Sequence, residues 1–176
     1  MYYFISKKVA EIHDEFYINT FPVPIADIEQ ILIDLDYDIM ILPDITKACV
    51  IGDTIMMPYA ETPEYRRLLA HEVGHIFLHD FNSFRQNPFN TRKCECQAEA
   101  FAAYFLIEES LFLEDLKCLY DEELAEKYGV PIEFILFRKT LIDHLAAWTV
   151  FFLTTNKNIR FTFSFKKGNT FAQNCK

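Results

Sequence analysis

The sequence predicts an α+β fold that is mainly helical, with a small antiparallel sheet ahead of one long central helix and a β-hairpin at the C-terminus. Three observations predict it. Apolar residues recur at spacings of three and four along most of residues 1–145, the period of helices with one buried face. Residues 48–57 form two short apolar runs on either side of Gly52-Asp53, a two-residue hairpin turn. In the tail, Ile159, Phe161, Phe163 and Phe165 alternate with Arg160, Thr162, Ser164 and Lys166, the period of a half-buried strand. With 176 residues, 51% of them hydrophobic, the chain can bury one core; the expected division is a main domain over 1–145 and a C-terminal extension, 146–176, packed on it.

The elements follow in order. Ile5, Val9, Ile12 and Phe16 mark a first helix over residues 5–18, which Phe21-Pro22-Val23-Pro24 breaks. His13 stands alone on a mixed face, as a surface or hydrogen-bonded histidine. Ile25, Ile28, Leu32 and Leu35 mark a second helix, with Asp27, Glu29 and Asp34 on its wet side. Tyr37 to Leu42 suits a strand, and the hairpin runs from Ala48 to Met57 until Pro58 ends it. Thr62-Pro63 offers an N-cap and a first-turn proline to a long helix reaching about Leu78. Gly74 in its middle costs roughly 1 kcal/mol against alanine, so something must pack close to the backbone there. Asp80 to Lys93 is a polar loop suited to a rim or lid. A strong helix follows over 94–107, then one capped by Ser110 over 111–119, and two more over 121–127 and 131–145. The apolar run 148–155, a turn at Asn156-Lys157-Asn158 and the alternating segment complete the terminal hairpin.

Several classes are excluded or disfavoured. No segment reaches the length of apolar residues needed to span a bilayer, and the charged residues among the first sixteen are unlike a secretory signal. A net charge of −9 argues against nucleic-acid binding and for attraction to a basic protein. Lys127, Arg138 and Lys139 in the helical C-terminal half are too few and too mixed with acids to make a DNA surface. Five cysteines, at 49, 94, 96, 118 and 175, show no disulfide framework, so the expected setting is a reducing cytoplasm. They read as ordinary buried or half-buried thiols.

The chemistry concentrates in the central helix. His71-Glu72-x-x-His75 puts two imidazoles one turn apart on one face, where both can lean toward a single metal ion. Glu72 sits about 100° round the helix, aside from the ligand position but placed to touch a metal-bound water. Three of the five histidines fall within residues 71–79, which favours a metal over two isolated histidines. A site with two His still needs a third ligand and an open position. Glu95 and Glu99, one turn apart on the next strong helix, are the available carboxylates; the competing reading is a solvated acidic face. The hairpin ahead of the helix either covers the core or offers its edge to an extended substrate.

With both helices in view, the chain resembles the ImmA/IrrE family of zinc metallopeptidases. The features that carry the likeness are the hairpin, Arg66-Arg67-Leu68-Leu69-Ala70-His71-Glu72-Val73-Gly74-His75, then His79, then Glu95-x-x-Ala98-Glu99-x-Phe101-Ala102-Ala103-x-Phe105-Leu106. They span roughly residues 22–140. Ile107-Glu108 stands where the family commonly has Met-Pro, and Phe134 where a small residue is usual; the tail after about 146 has no counterpart. The resemblance implies a zincin-like domain and one Zn2+ per chain, with other divalent ions compatible with the same donors. It assigns Glu95 as the third ligand beside His71 and His75, and makes Glu99, at a position usually Asn or Asp, a hydrogen-bond partner for a ligand histidine. It further implies a zinc-dependent endopeptidase, often carried by mobile elements or phages, that cuts a basic helix-turn-helix repressor. Glu72 would then be the general base. His79 and Tyr104 are the candidates to donate to the tetrahedral oxyanion, His79 having a competing role at the helix end. Two rival expectations are a catalytically silent, metal-stabilised module that binds a transcriptional regulator, and a non-peptidase metallohydrolase. Oligomeric state, substrate and cleavage site are not encoded in any motif.

Overall fold

A computed structural model describes residues 2–79 and 88–142 of the chain. Among them are seven helices and one three-stranded sheet: α1 (Tyr2–Glu15), α2 (Ile25–Asp34), β1 (Asp38–Leu42), β2 (Cys49–Ile51), β3 (Thr54–Pro58), α3 (Thr62–Leu78), α4 (Pro88–Leu106), α5 (Glu109–Asp115), α6 (Asp121–Tyr128) and α7 (132–142). The mainly helical α+β expectation holds for these residues. The expected hairpin over 148–166 and the 146–176 extension lie outside them.

The helices form where apolar side chains line one face. Ile5, Val9 and Ile12 of α1 and Ile28, Ile31 and Leu32 of α2 are all buried. Among the described residues α3 and α4 make the most extensive helix packing, with α1 against the outer side of α4. Their seam joins Leu69, Ala70 and Val73 to Ala98, Phe101, Ala102 and Phe105, all fully buried. Phe77, Phe101 and Phe105 stack in file, with centroids 6.2 and 5.7 Å apart. At about 25 cal/mol per Å² of apolar surface removed from water, this seam is the main local source of stability.

The tight packing predicted at Gly74 is found there. A Cβ at position 74 would lie 3.1 Å from the Ala98 carbonyl oxygen and 3.1 Å from Phe101 Cβ. Gly129 is constrained twice over: it ends α6 with φ +58, and Arg66 occupies the space a side chain would need. There Arg66 Nη1 donates to the Gly129 carbonyl, while its Nε donates to the Val23 carbonyl at 3.1 Å, tying α3 to both neighbouring segments.

The sheet departs from the antiparallel expectation. Its order is β1-β3-β2; β2 and β3 form the predicted hairpin, with Val50 opposite Ile55, but β1 runs parallel to β3, with Met40 opposite Met56. The physical reason is burial. Ile55 and Met57 of β3 are fully buried, and β3 packs on α3, so it takes the central place with both edges paired. The segment 43–48 then carries the chain from β1 past β3 to the far edge, which makes β1 parallel.

Helix ends also differ from expectation. Thr62 is the first residue of α3, not its cap; Glu61 holds the extended cap position without a side-chain cap bond. α4 begins at Pro88, so the last six residues of the supposed loop 80–93 are helical; residues 80–87 lie outside the described set. Pro88 loses nothing in a first turn, where its missing N–H would be unpaired anyway. The cap of α5 is Glu108, whose carboxylate accepts from the Leu111 N–H at 2.8 Å and from Ser110 Oγ at 2.6 Å. The carboxylate thus fills the role expected of Ser110, and α5 closes at Asp115. His13 is the hydrogen-bonded histidine expected: its Nε2 donates to the Phe105 carbonyl at 3.0 Å, and burial keeps it below the usual imidazole pKa and neutral. Among the described residues no helix is long and apolar enough to cross a membrane.

Candidate metal centre

α3 and α4 approach closely at Gly74 and Ala98, and the polar side chains bracket that contact on each helix. His71 and His75 flank Gly74 at −3 and +1, and Glu95 and Glu99 flank Ala98 at −3 and +1. The close backbone approach therefore brings two pairs of one-turn neighbours face to face. His71 Nε2 lies 3.1 Å from His75 Nε2 and 3.4 Å from Glu95 Oε2, and His75 Nε2 lies 3.5 Å from Glu95 Oε1. These three residues are the group among the described residues whose donor atoms converge within 4.8 Å.

The spacing tests whether a metal fits. Ligands at about 2.0–2.1 Å from a tetrahedral zinc are separated by edges of about 3.3 Å. The His71–His75 separation, and the distance from each histidine to its nearest Glu95 oxygen (Oε2 for His71, Oε1 for His75), lie about that edge. The chemistry agrees, since two imidazoles and a carboxylate form a donor set zinc uses.

Around this trio the groups are ordered. His71 Nδ1 donates to Glu99 Oε2 at 2.8 Å, which leaves Nε2 as the nitrogen facing the centre. Glu99 in turn accepts from Arg67 Nη1, 2.8 Å to Oε1 and 3.0 Å to Oε2. Arg67 Nε and Nη2 donate to the two oxygens of Glu64 at 2.9 and 2.7 Å. Glu72, only 4% exposed, is buried beside the trio, whereas the Glu95 side chain is 56% exposed.

The charges follow from burial and neighbours. Burial alone would lower the His71 imidazole, but hydrogen bonds to Glu95 and Glu99 outweigh it and raise the pKa to about 9. Burial and the neighbouring His71 charge lower His75. The His71 hydrogen bond lowers Glu95 despite partial burial. Burial would raise Glu99, but the His71 hydrogen bond and the Arg67 charge keep it below the usual carboxylate range. Burial pushes Glu72 up to about 7, with the His71 charge opposing and Glu95 adding to the rise.

The centre opens into a cavity of about 590 Å³ whose opposite wall is Thr46 to Val50, the approach to β2 and its first residues. β2 is an edge strand, with its outer side unpaired among the described residues. His79 follows α3 and lines the same cavity; its ring lies 5.5 Å from that of His75 and donates to the Cys94 carbonyl at 3.3 Å. Tyr104 is not part of the cavity wall. It is 4% exposed, its ring lies 4.4 Å from the Arg138 guanidinium carbon, and its hydroxyl has no hydrogen-bond partner among the described residues. Residue 104 falls five positions after Glu99, about 500° round α4, which turns it from the α3 face toward the core. Among the described residues the thiols differ from expectation as well: Cys49, Cys96 and Cys118 are exposed and Cys94 is half-buried, while Cys175 lies outside the described residues.

Sequence reasoning gave no role to Arg67, Glu64 or Lys47. Glu64, Arg67 and His71 recur at three and four residues along α3, a polar line on a helix otherwise half-buried, and that periodicity was the available signal. Lys47, whose charge acts on Glu95, comes from a loop and carries no such pattern.

Comparison with known proteins gives one family: the IrrE N-terminal-like domain of peptidase family M78 matches residues 54–140, which run from β3 through α7 and include every residue of the trio. The curated proteins give no match.

Proposed function

Because residues 54–140 place this chain in the ImmA/IrrE metallopeptidase family, we propose that it is a zinc-dependent endopeptidase that holds its metal with His71, His75 and Glu95. The observation that carries this reading is the convergence of those three donors at tetrahedral-edge spacing beside a buried Glu72. Zinc held there supplies Lewis acidity, which polarises a carbonyl and acidifies water.

The chain's own residues do the rest. Glu72, buried beside the three ligands, takes a proton from the attacking water and passes it to the amide nitrogen as the peptide bond breaks. Glu99 keeps the His71 Nδ1 proton in place, so that Nε2 remains the ligating atom. The edge of β2, unpaired among the described residues and starting at the cavity wall, supports the reading of the hairpin as a strand that pairs with an extended substrate backbone.

The substrate class follows from the family likeness together with charge. A net charge of −9 favours a basic protein, and a basic helix-turn-helix repressor meets that description. The test is direct. Purified protein is incubated with zinc and the transcriptional regulator encoded beside it, and fragments are identified by mass spectrometry. A defined cut that disappears with chelator and with Glu72→Gln supports the proposal. Stable complex formation with no cut in zinc-loaded protein would instead establish the silent binding module.

A further inference from the structure

We propose that Arg67 is a positioning residue of the metal site, fixing through Glu99 which nitrogen His71 presents to the metal. This rests on His71, His75 and Glu95 being the ligands, as argued above. Arg67 is held first by its own helix: its Nε and Nη2 donate to both oxygens of Glu64, one turn earlier, at 2.9 and 2.7 Å. That fork leaves Nη1, which reaches both oxygens of Glu99 at 2.8 and 3.0 Å. The guanidinium also lies over the Phe134 ring at 5.9 Å, which limits its movement on the side away from the metal.

Glu99 needs this restraint. The terminal torsion of a glutamate is broad and nearly twofold, so a carboxylate held only by His71 can rotate off it. With both oxygens engaged by Arg67, Oε2 stays 2.8 Å from His71 Nδ1. His71 is then committed to donate through Nδ1 and to offer Nε2 toward His75 and Glu95. Three of the four members, Glu64, Arg67 and His71, come from one face of α3, so the arrangement needs only Glu99 from α4. A lysine at 67 would restore charge but not the fork, because an ammonium cannot bridge two carboxylates in one plane.

The experiment measures zinc affinity by competition with a chromophoric chelator for wild type, Arg67→Gln, Arg67→Lys, Glu64→Gln and His71→Ala. It adds the imidazole 15N shifts of the zinc-loaded proteins. The expected result is a loss of about tenfold in affinity for Arg67→Gln, the lower end for a group acting behind a ligand. Arg67→Lys recovers part of that loss. The His71 Nδ1–H signal shifts or broadens in Arg67→Gln, a change that general loosening of the fold would not confine to one ring. Wild-type affinity and an unchanged His71 signal in folded Arg67→Gln overturn the proposal. Should that variant fail to fold, wild-type affinity in both Arg67→Lys and Glu64→Gln overturns it equally. The His71→Ala arm separates the two levels: wild-type affinity there overturns the ligand assignment and the role of Arg67 with it. Lost affinity in His71→Ala beside wild-type affinity in Arg67→Gln overturns Arg67 alone.

Discussion

Glu72 carries a carboxylate into a place that is 4% exposed, and it does so next to three other ionisable groups. Its raised pKa, about 7 against an ordinary 4.5, has a consequence for stability as well as for catalysis. A folded-state pKa above the unfolded one means the folded protein holds the proton more tightly, so stability falls as pH rises from 4.5 toward 7 and stays reduced above it. Glu72→Gln removes that ionisation. The metal-free variant is expected to be more stable than wild type at pH 7.5 by about 1–3 kcal/mol, read from urea unfolding. The same variant should bind zinc and lose about 10²–10⁴-fold in kcat if Glu72 moves the proton. His71 shifts for the opposite chemical reason, since its carboxylate partners favour the imidazolium up to about pH 9. Its contribution to stability is present below the ordinary 6.5 and is lost as pH rises through about 9. A metal must displace that proton. Calorimetry in buffers of different ionisation enthalpy should find close to one proton released per zinc at pH 7, and affinity should rise about tenfold per pH unit until about pH 9.

At the scale of elements, the decisive contact is the crossing of α3 and α4 at Gly74. The site is assembled from two helices whose ligands, His71 and His75 on one and Glu95 on the other, lie within three residues of that contact, so a small separation there is transmitted to every donor. Gly74→Val places branched carbons where even a Cβ would be 3.1 Å from the Ala98 carbonyl oxygen and from Phe101. The expected cost is about 1–3 kcal/mol in thermal or urea unfolding. In the fraction that remains folded, zinc affinity should fall too. Unchanged affinity would mean that the ligands are positioned independently of the seam. The existence of these two helices follows from periodicity, and so does the hairpin. Their ends do not. Glu61, Glu108 and Pro88 mark the true boundaries, and each competes with an equally good neighbour, Thr62, Ser110 or Cys94, that local pattern alone prefers.

For the whole molecule, two measurements address the bound and free states. Zinc bound to the folded chain stabilises it by mass action, about 2.7 kcal/mol at a hundredfold excess over Kd. Stripping it with a chelator should lower Tm by about 5–10 °C for a chain of this size, in differential scanning calorimetry. An unmoved midpoint would show that the trio holds no metal. The net charge of −9 acts at longer range. If the substrate is basic, its KM should rise between 50 mM and 500 mM salt while kcat changes little, because screening weakens encounter and not chemistry. A salt-independent KM would remove charge from the account of substrate choice.

From residue order alone come the helices, the hairpin, the His71-Glu72-x-x-His75 face and the two carboxylates of α4, because each is a periodic pattern within a single element. The closeness of the helices at Gly74 was also legible, since a glycine in mid-helix has few other uses. Four things belonged to tertiary structure. The parallel placement of β1 was decided by which strand buries its side chains against α3, a competition among strands that no single strand records. The geometry behind the separate duties of Glu95 and Glu99, implied at first only by the family resemblance, with Glu95 in the trio and Glu99 behind His71, depends on where α4 crosses α3. The exclusion of Tyr104 and the linkage of Arg67 to Glu64 and Glu99 likewise required the rotation of both helices about their axes. Local sequence sets the period of a helix face, but the phase of one face against another is set only by packing.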